Sequence, residues 1–460
     1  MTTAMGPFLA TLRRQATPIL WTLVVVAVLL RALLAIDSPT PFGYVFDYYH
    51  EAIELFYDTG RLPVAADCWQ CYHPPLYYVL GLPFYAAGRW LAGTSDHAPE
   101  WGLRGLTILA LICGVVATYY SCRLVQFLAR DRALNVLGAA IILGFPCLFI
   151  SSYGPDADIV EAAAMTVFLY YLTTFAVRRS GQTWKSAAWI GVLAGLAAAA
   201  KYSGLIALAS AGVVFGLQLA FQPGRGRTIL HGVVIFAVAV VIGSPKYLDN
   251  WRRHGNPLFA NGSAGDAFSA EREYYWGDYD FFTFRPDLIL EASGPSAPRG
   301  ELTNLPVYRS VWTTLYGMAW GDLSFFSVRG RISDPDPPYP RKNIPAWLTG
   351  AVLYLALVPT TLALIGFIVT LRRREYAPLL VVLALTMGSY LAWVVAQDAW
   401  ALKTKYIVFL LPVFVAYALA GLRWVARRLP QPLAATTILA LVVLVLASHL
   451  YLLAFAVGHL

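Results

Sequence analysis

The chain has 460 residues, 58% of them hydrophobic and only 13% charged, with a net charge of +8. Soluble domains carry roughly 25% charged residues, so this composition excludes a string of globular domains. Together with a mean hydropathy of +0.59, it also excludes disordered, collagen-like and coiled-coil chains. The positive balance does not point to nucleic acid, because the basic residues of a membrane protein collect in its cytoplasmic loops.

A spanning helix needs about 20 mostly apolar residues. Such runs lie near 18–36, 104–127, 134–152, 157–177, 185–201, 203–221, 229–246, 346–371, 376–396, 406–424 and 432–457. The expected fold class is therefore an all-α integral membrane protein. It is a polytopic bundle of about 11 (11–13) transmembrane helices with outer-face juxtamembrane helices and a large extracytoplasmic loop. The segments between the runs alternate in character. Arg13/Arg14, Arg130–Arg132, Arg178/Arg179 with Lys185, Arg225/Arg227, Arg372–Arg374 and Arg427/Arg428 form one set, which the positive-inside rule assigns to the cytoplasm. The other set, 37–103, 153–156, 247–345 and 397–405, is acidic, aromatic and Pro-rich and faces outward. Three parts follow: an N-terminal transmembrane module 1–246 with its first outer loop 37–103, an extracytoplasmic loop or lid 247–345, and C-terminal helices 346–460.

The N-terminal Arg pair and apolar run look like a signal peptide, but Arg31 interrupts the run and no clear small-residue cleavage site follows. A retained first helix is expected. The segment 74–92 is apolar enough to span, yet a crossing there would put the Arg clusters outside. It is expected to lie in the outer interface or to re-enter. Its Tyr77, Tyr78, Phe84, Tyr85 and Trp90 suit the headgroup level.

Ionisable residues at helix ends and in outer loops are costly enough to be functional candidates. Four clusters stand on the outer side: Asp47-Tyr48-Tyr49-His50-Glu51, His73-Pro74-Pro75-Leu76-Tyr77-Tyr78, Tyr153-Gly154-Pro155-Asp156-Ala157-Asp158, and Lys403-Thr404-Lys405-Tyr406. Lys201-Tyr202 marks a fifth outer boundary. Carboxylates serve as general bases toward a hydroxyl. Lys, Arg and His stabilise the charge on a departing phosphate, and Tyr and Trp stack on sugars and sit at the interface. The combination suits transfer of a group from a lipid-linked phosphate at the membrane surface.

An acid early in the first outer loop, then HPPLYY (73–78), then Pro155-Asp156 resembles the GT-C superfamily of membrane glycosyltransferases. The chain is most similar to its bacterial protein-mannosyltransferase-like and aminoarabinose-transferase-like members. "AAAAKYSGLIAL" (197–208), "SPKYLDNWRRHGNPLF" (244–259) and "KTKYIVFLLPVF" (403–414) extend the likeness. The resemblance implies a polyprenyl-phosphate sugar as donor. The acceptor would be a glycan, lipid or protein hydroxyl, on the extracytoplasmic side of the inner (plasma) membrane. It implies that Asp47 matches the catalytic first-loop acid, orienting the acceptor hydroxyl for inverting attack, and that Asp156 matches the second acid. His73 and Lys405 match donor-phosphate positions, with Lys201 and Arg31 as further candidates. Where relatives carry adjacent acids, Asp47 is followed by two tyrosines, so His50 or Glu51 is expected to share the second role. Asp158, in the first turn of its helix, also suits the helix dipole. No cofactor is implied with certainty. A divalent metal stays open, and no ligand cluster decides it.

Cys68-Trp69-Gln70-Cys71 precedes HPPLYY. Zinc would need a second ligand pair, and in an oxidising compartment a short structural disulfide is the leading reading. Cys113, Cys122 and Cys147 lie in apolar runs as packing residues. The aromatic segment 261–343 is expected to form a lid that recognises the acceptor, with Tyr274, Trp276 and Asp278 as first candidates. The rival reading is a transporter or flippase, which favours paired repeats and ionisable residues near the midplane. A third is a lipid-linked glycan polymerase or ligase, which shares the donor class.

Overall fold

The computed structural model describes residues 15–37, 48–152, 154–178, 182–221, 225–259, 279–287, 310–321, 345–396 and 402–457. All regular structure among them is helical. In chain order the helices are α1 (Ala16–Asp37), α2 (Tyr49–Thr59), α3 (Leu76–Ala92), α4 (Ala98–Ala129), α5 (Arg132–Leu143), α6 (Pro146–Ser151), α7 (Ala157–Val177), α8 (Trp184–Ala200), α9 (Leu205–Phe221), α10 (Arg225–Gly243), α11 (Pro245–His254), α12 (Val311–Gly321), α13 (Ala346–Leu355), α14 (Leu357–Thr370), α15 (Ala377–Ala396), α16 (Leu411–Arg428) and α17 (Gln431–Val457). Eight helical stretches among the described residues are long and apolar enough to cross a membrane. Three expected runs form shorter apolar helices, at Thr17–Leu33, Arg132–Leu143 and Trp184–Ala200.

Three expected runs are not single α-helices: 346–371 parts at Ala356 into α13 and α14, and the other two have a local reason. The run 134–152 breaks between α5 and α6, where Pro146 removes a backbone donor and begins a new helix. The run at 406 opens with a 3₁₀ stretch, Thr404–Leu410, that turns α-helical only at Leu411, just before Pro412. The segment expected in the interface forms α3. It buries Tyr77, Tyr78, Gly81, Tyr85 and Gly88, and packs along the N-terminal half of α4. At about 1.5 Å per residue, 32-residue α4 is longer than the ~30 Å hydrocarbon core requires.

The most buried apolar helices are α7 and the stretch that includes α16, and the principal core gathers around both. Their N-terminal ends carry Asp156/Asp158 and Lys405 respectively, so the polar residues sit where the two central helices begin.

Close backbone approach fixes the pairing of α14 with α16. A Cβ on Gly366 would collide with the Tyr417 carbonyl oxygen, and one on Gly421 with that of Leu362. Small residues give membrane helices such contacts in place of a hydrophobic drive. Gly366→Ala is expected to destabilise the protein by about 1–3 kcal/mol, read as a lowered unfolding midpoint in detergent.

Candidate functional site

Asp156 ends the Gly154-Pro155 turn and caps α7. It is in extended conformation, and its Oδ1 accepts from the Asp158 N–H at 3.0 Å. Capping explains why an Asp stands there, and the other carboxylate oxygen faces away from the cap. Lys405 donates to Asp156 Oδ2 at 2.6 Å and lies 3.1 Å from Asp158 Oδ2. Lys201, at the break between α8 and the 3₁₀ turn Tyr202–Gly204, donates to Asp158 Oδ1. The Asp158 side chain is fully buried, and those of Asp156, Lys201 and Lys405 are 10–15% exposed. Two ammonium groups and two carboxylates thus share one buried pocket of charge. An isolated charge at such depth costs many kcal/mol, and close pairing is what makes the burial tolerable.

Aromatic rings frame this cluster. The Tyr406 ring centroid lies 4.1 Å from Lys201 Nζ, 5.4 Å from Lys403 Nζ and 5.6 Å from Lys405 Nζ. Cation–π attraction is strengthened when the cations are desolvated. Tyr49, on α2, lies 5.6 Å from Lys201 Nζ. Its ring also stands 5.5 Å from His73 and 6.1 Å from Tyr77. His73 is therefore one ring removed from the ion pairs. The Tyr77 hydroxyl is buried without a hydrogen-bond partner among the described residues.

The loop bearing His73 is braced from both sides. Cys68 and Cys71 form a disulfide with Cα atoms 5.1 Å apart, as the leading reading of that pair expected. The Tyr78 hydroxyl donates to the Gln70 carbonyl at 2.5 Å. The Tyr202 hydroxyl, next to Lys201, lies 2.9 Å from the Tyr72 carbonyl and 2.8 Å from that of Phe259, and accepts from Asn250 Nδ2 at 2.8 Å. Loop, lysine turn and α11 are tied at one hydroxyl.

The structure therefore brings Asp156, Asp158, Lys201 and Lys405 into contact and places His73 beside them. Arg31 occupies a separate buried place: its Nε donates to Ser152 Oγ at 2.8 Å and its guanidinium stands 4.6 Å from the Phe149 ring centroid. Ser152 lies four positions before Asp156, so Arg31 braces the turn that presents it. Asp47, Tyr274, Trp276 and Asp278 lie outside the described residues. Glu161, which the sequence expectations do not include, is buried on α7 three positions after Asp158. An acid inside an apolar run is the signal that marks it.

His50 is buried on α2, and Glu51 beside it is half-buried. Burial holds the His50 imidazole down to about 4 and raises the Glu51 carboxyl above its usual range. A folded-state value of about 4 against about 6.5 unfolded means that the unfolded chain binds the extra proton. Stability is thus fully retained above pH ~6.5 and falls as pH drops toward ~4, by up to about 3 kcal/mol. His50→Gln is expected to flatten that decline in unfolding midpoints measured across the same window.

Among the described residues no group of three or more His, Cys, Asp or Glu is placed to hold a metal ion. The Asp156 and Asp158 carboxylates face ammonium groups instead.

No protein-family model matches the chain. No curated protein matches it. Among solved structures it is similar to the Archaeoglobus fulgidus oligosaccharyltransferase crystallised with zinc and sulfate, at TM-score 0.52 and 19% identity, covering 94% of this chain and 53% of that one. This chain thus spans about half the length of that enzyme. The same enzyme tethered to an acceptor peptide matches at TM-score 0.47 and 16% identity, over 95% of this chain and 55% of that one. ArnT from Cupriavidus metallidurans in the apo state matches at TM-score 0.45 and 16% identity, over 96% and 77%. The first likeness shows that this chain shares the fold of that oligosaccharyltransferase.

Proposed function

We propose that the protein is a membrane glycosyltransferase that moves a sugar from a polyprenyl-phosphate-linked donor to an acceptor hydroxyl. The observation that carries this reading is the buried Asp156–Lys405–Asp158–Lys201 cluster at the start of the two central helices. In the proposed reaction Asp47 takes the proton of the acceptor hydroxyl. That oxygen attacks the anomeric carbon from the face opposite the phosphate, and the new C–O bond forms with inversion. The bond to the phosphate oxygen breaks, and polyprenyl phosphate leaves with the electron pair. Lys405, Lys201 and His73 are assigned to the charge growing on that phosphate. Asp156 and Asp158 hold the lysines in place before the donor arrives, and Asp156 tunes Asp47 or helps hold the acceptor. Arg31 supports the turn from below and remains a phosphate candidate, while His50 and Glu51 stand near the proposed base in sequence. Tyr274, Trp276 and Asp278 are proposed for acceptor recognition in the loop 247–345.

In the same reading the eleven apolar segments all cross an inner (plasma) membrane. The N-terminus is inside, and the charged cluster lies at the extracytoplasmic surface.

Proteoliposomes carrying a radiolabelled polyprenyl-phosphate sugar separate transfer from transport. The expected result is label in an acceptor product with accumulation of free polyprenyl phosphate. Donor that crosses between leaflets unchanged would support the flippase reading and overturn this one. Consumption only of oligosaccharide-bearing donors would identify the polymerase or ligase reading.

A further inference from the structure

Asp158 is occupied on both oxygens: Lys201 donates to Oδ1, and Lys405 lies 3.1 Å from Oδ2. A substrate group reaching this carboxylate has to displace one of the two. Lys405 is also anchored on Asp156 at 2.6 Å, whereas Asp158 is the one carboxylate with which Lys201 makes an ion pair among the described residues. Lys201 is thus the more easily released of the two.

A second carboxylate lies within its field. Glu161 follows Asp158 by three residues, so the two share a face of α7. Its side chain is buried and attracts Lys201 electrostatically, and Ser203, two residues after Lys201, hydrogen-bonds to it. Yet Glu161 Oε1 is buried without a hydrogen-bond partner among the described residues. A buried acceptor left open is costly, and more so when charged. The Lys201 ammonium lies against the face of Tyr406, at 4.1 Å, which keeps a cation stabilised while it changes partners. The other polar groups around the cluster are Asp156 on α7, Lys403 and Lys405 before α16, Tyr202 and Tyr247, and Tyr49, His73 and Tyr77.

We propose that Glu161 is a positioning residue that acts as the second docking point for Lys201. In the resting site Lys201 is held by Asp158. When substrate enters, the ammonium exchanges Asp158 Oδ1 for Glu161 Oε1 while still facing the donor phosphate, and Asp158 Oδ1 becomes available to the substrate. The proposal rests on the reading of this cluster as the transfer site, and it adds a moving part to it.

A structure of Asp158→Asn in nanodiscs tests the displacement directly. The expected result is Lys201 Nζ at about 2.7–2.9 Å from Glu161 Oε1. A Lys201 that stays against the substituted side chain, or turns elsewhere, overturns the proposal. Kinetics test its use, and they remain informative if Asp158→Asn does not fold. Glu161→Gln is expected to lower kcat by roughly 10–100-fold with the donor KM unchanged, and Glu161→Asp to recover part of the loss. Equal loss in both variants, or a loss confined to KM, assigns Glu161 a purely structural role and overturns the proposal. If the wild type consumes no polyprenyl-phosphate donor, the transfer reading fails, while the structural arm still decides whether Lys201 exchanges partners.

Discussion

Lys405→Met is expected to destabilise the protein by about 3–5 kcal/mol and to reduce transfer to background. Its ammonium lies 2.6 Å from Asp156 and 3.1 Å from Asp158. Methionine fills a similar volume without charge, so Asp156 loses its 2.6 Å ammonium and Asp158 one of the two ammonium groups beside it. Breaking a buried pair from one side leaves an uncompensated charge, which costs far more than the pair contributes when intact. The lysine side chain is only 15% exposed, so solvent screening offers little relief. Lys405→Arg keeps the charge and changes its shape, and is expected to recover most of the stability but not full activity. Unfolding midpoints of the three proteins in one detergent, beside donor turnover, check both parts.

Asp156→Asn is expected to keep the helix and lose the reaction. Asparagine caps a helix as well as aspartate does, so the bond to the Asp158 N–H survives and α7 still starts at Ala157. The lost carboxylate charge releases Lys405 from its 2.6 Å partner. Turnover is expected to fall by roughly 10²–10⁴-fold, the range for removing a positioned acid–base or charge-holding group. Asp156→Ala is the control that removes cap and charge together, and should cost about 1 kcal/mol more in stability. Equal turnover in Asp156→Asn and wild type would reduce Asp156 to a cap.

Much of the fold is legible in the sequence because lipid imposes length and apolarity on each helix. Two of the expected runs do not form single α-helices, for local reasons. Pro146 starts α6 anew, and the chain from Thr404 to Leu410 winds as 3₁₀ before α16. The ionisable members of the site are legible one at a time: Asp156 as a cap at a helix start, Lys201 and Lys405 as bases at the ends of apolar runs. Their pairing is not, since Lys201 and Asp158 are 43 positions apart and Lys405 and Asp156 are 249 apart. No local spacing rule reaches across such separations. Glu161 is harder still, because its neighbours in sequence are apolar and its partners, Lys201 and Ser203, come from another helix end. Arg31 is legible as a charge inside an apolar run, but its neighbours, Ser152 and the Phe149 ring, lie more than a hundred positions away.

Donor turnover by purified wild type beside Asp47→Asn, with a radiolabelled polyprenyl-phosphate sugar in nanodiscs, tests the central claim most directly. The account predicts release of polyprenyl phosphate by the wild type and loss of that release in the variant, with the unfolding midpoint unchanged. Equal release by both proteins would contradict the assignment of Asp47 as base. No release by a folded wild type supplied with acceptor lipids, glycans and peptides would contradict glycosyl transfer from this donor class.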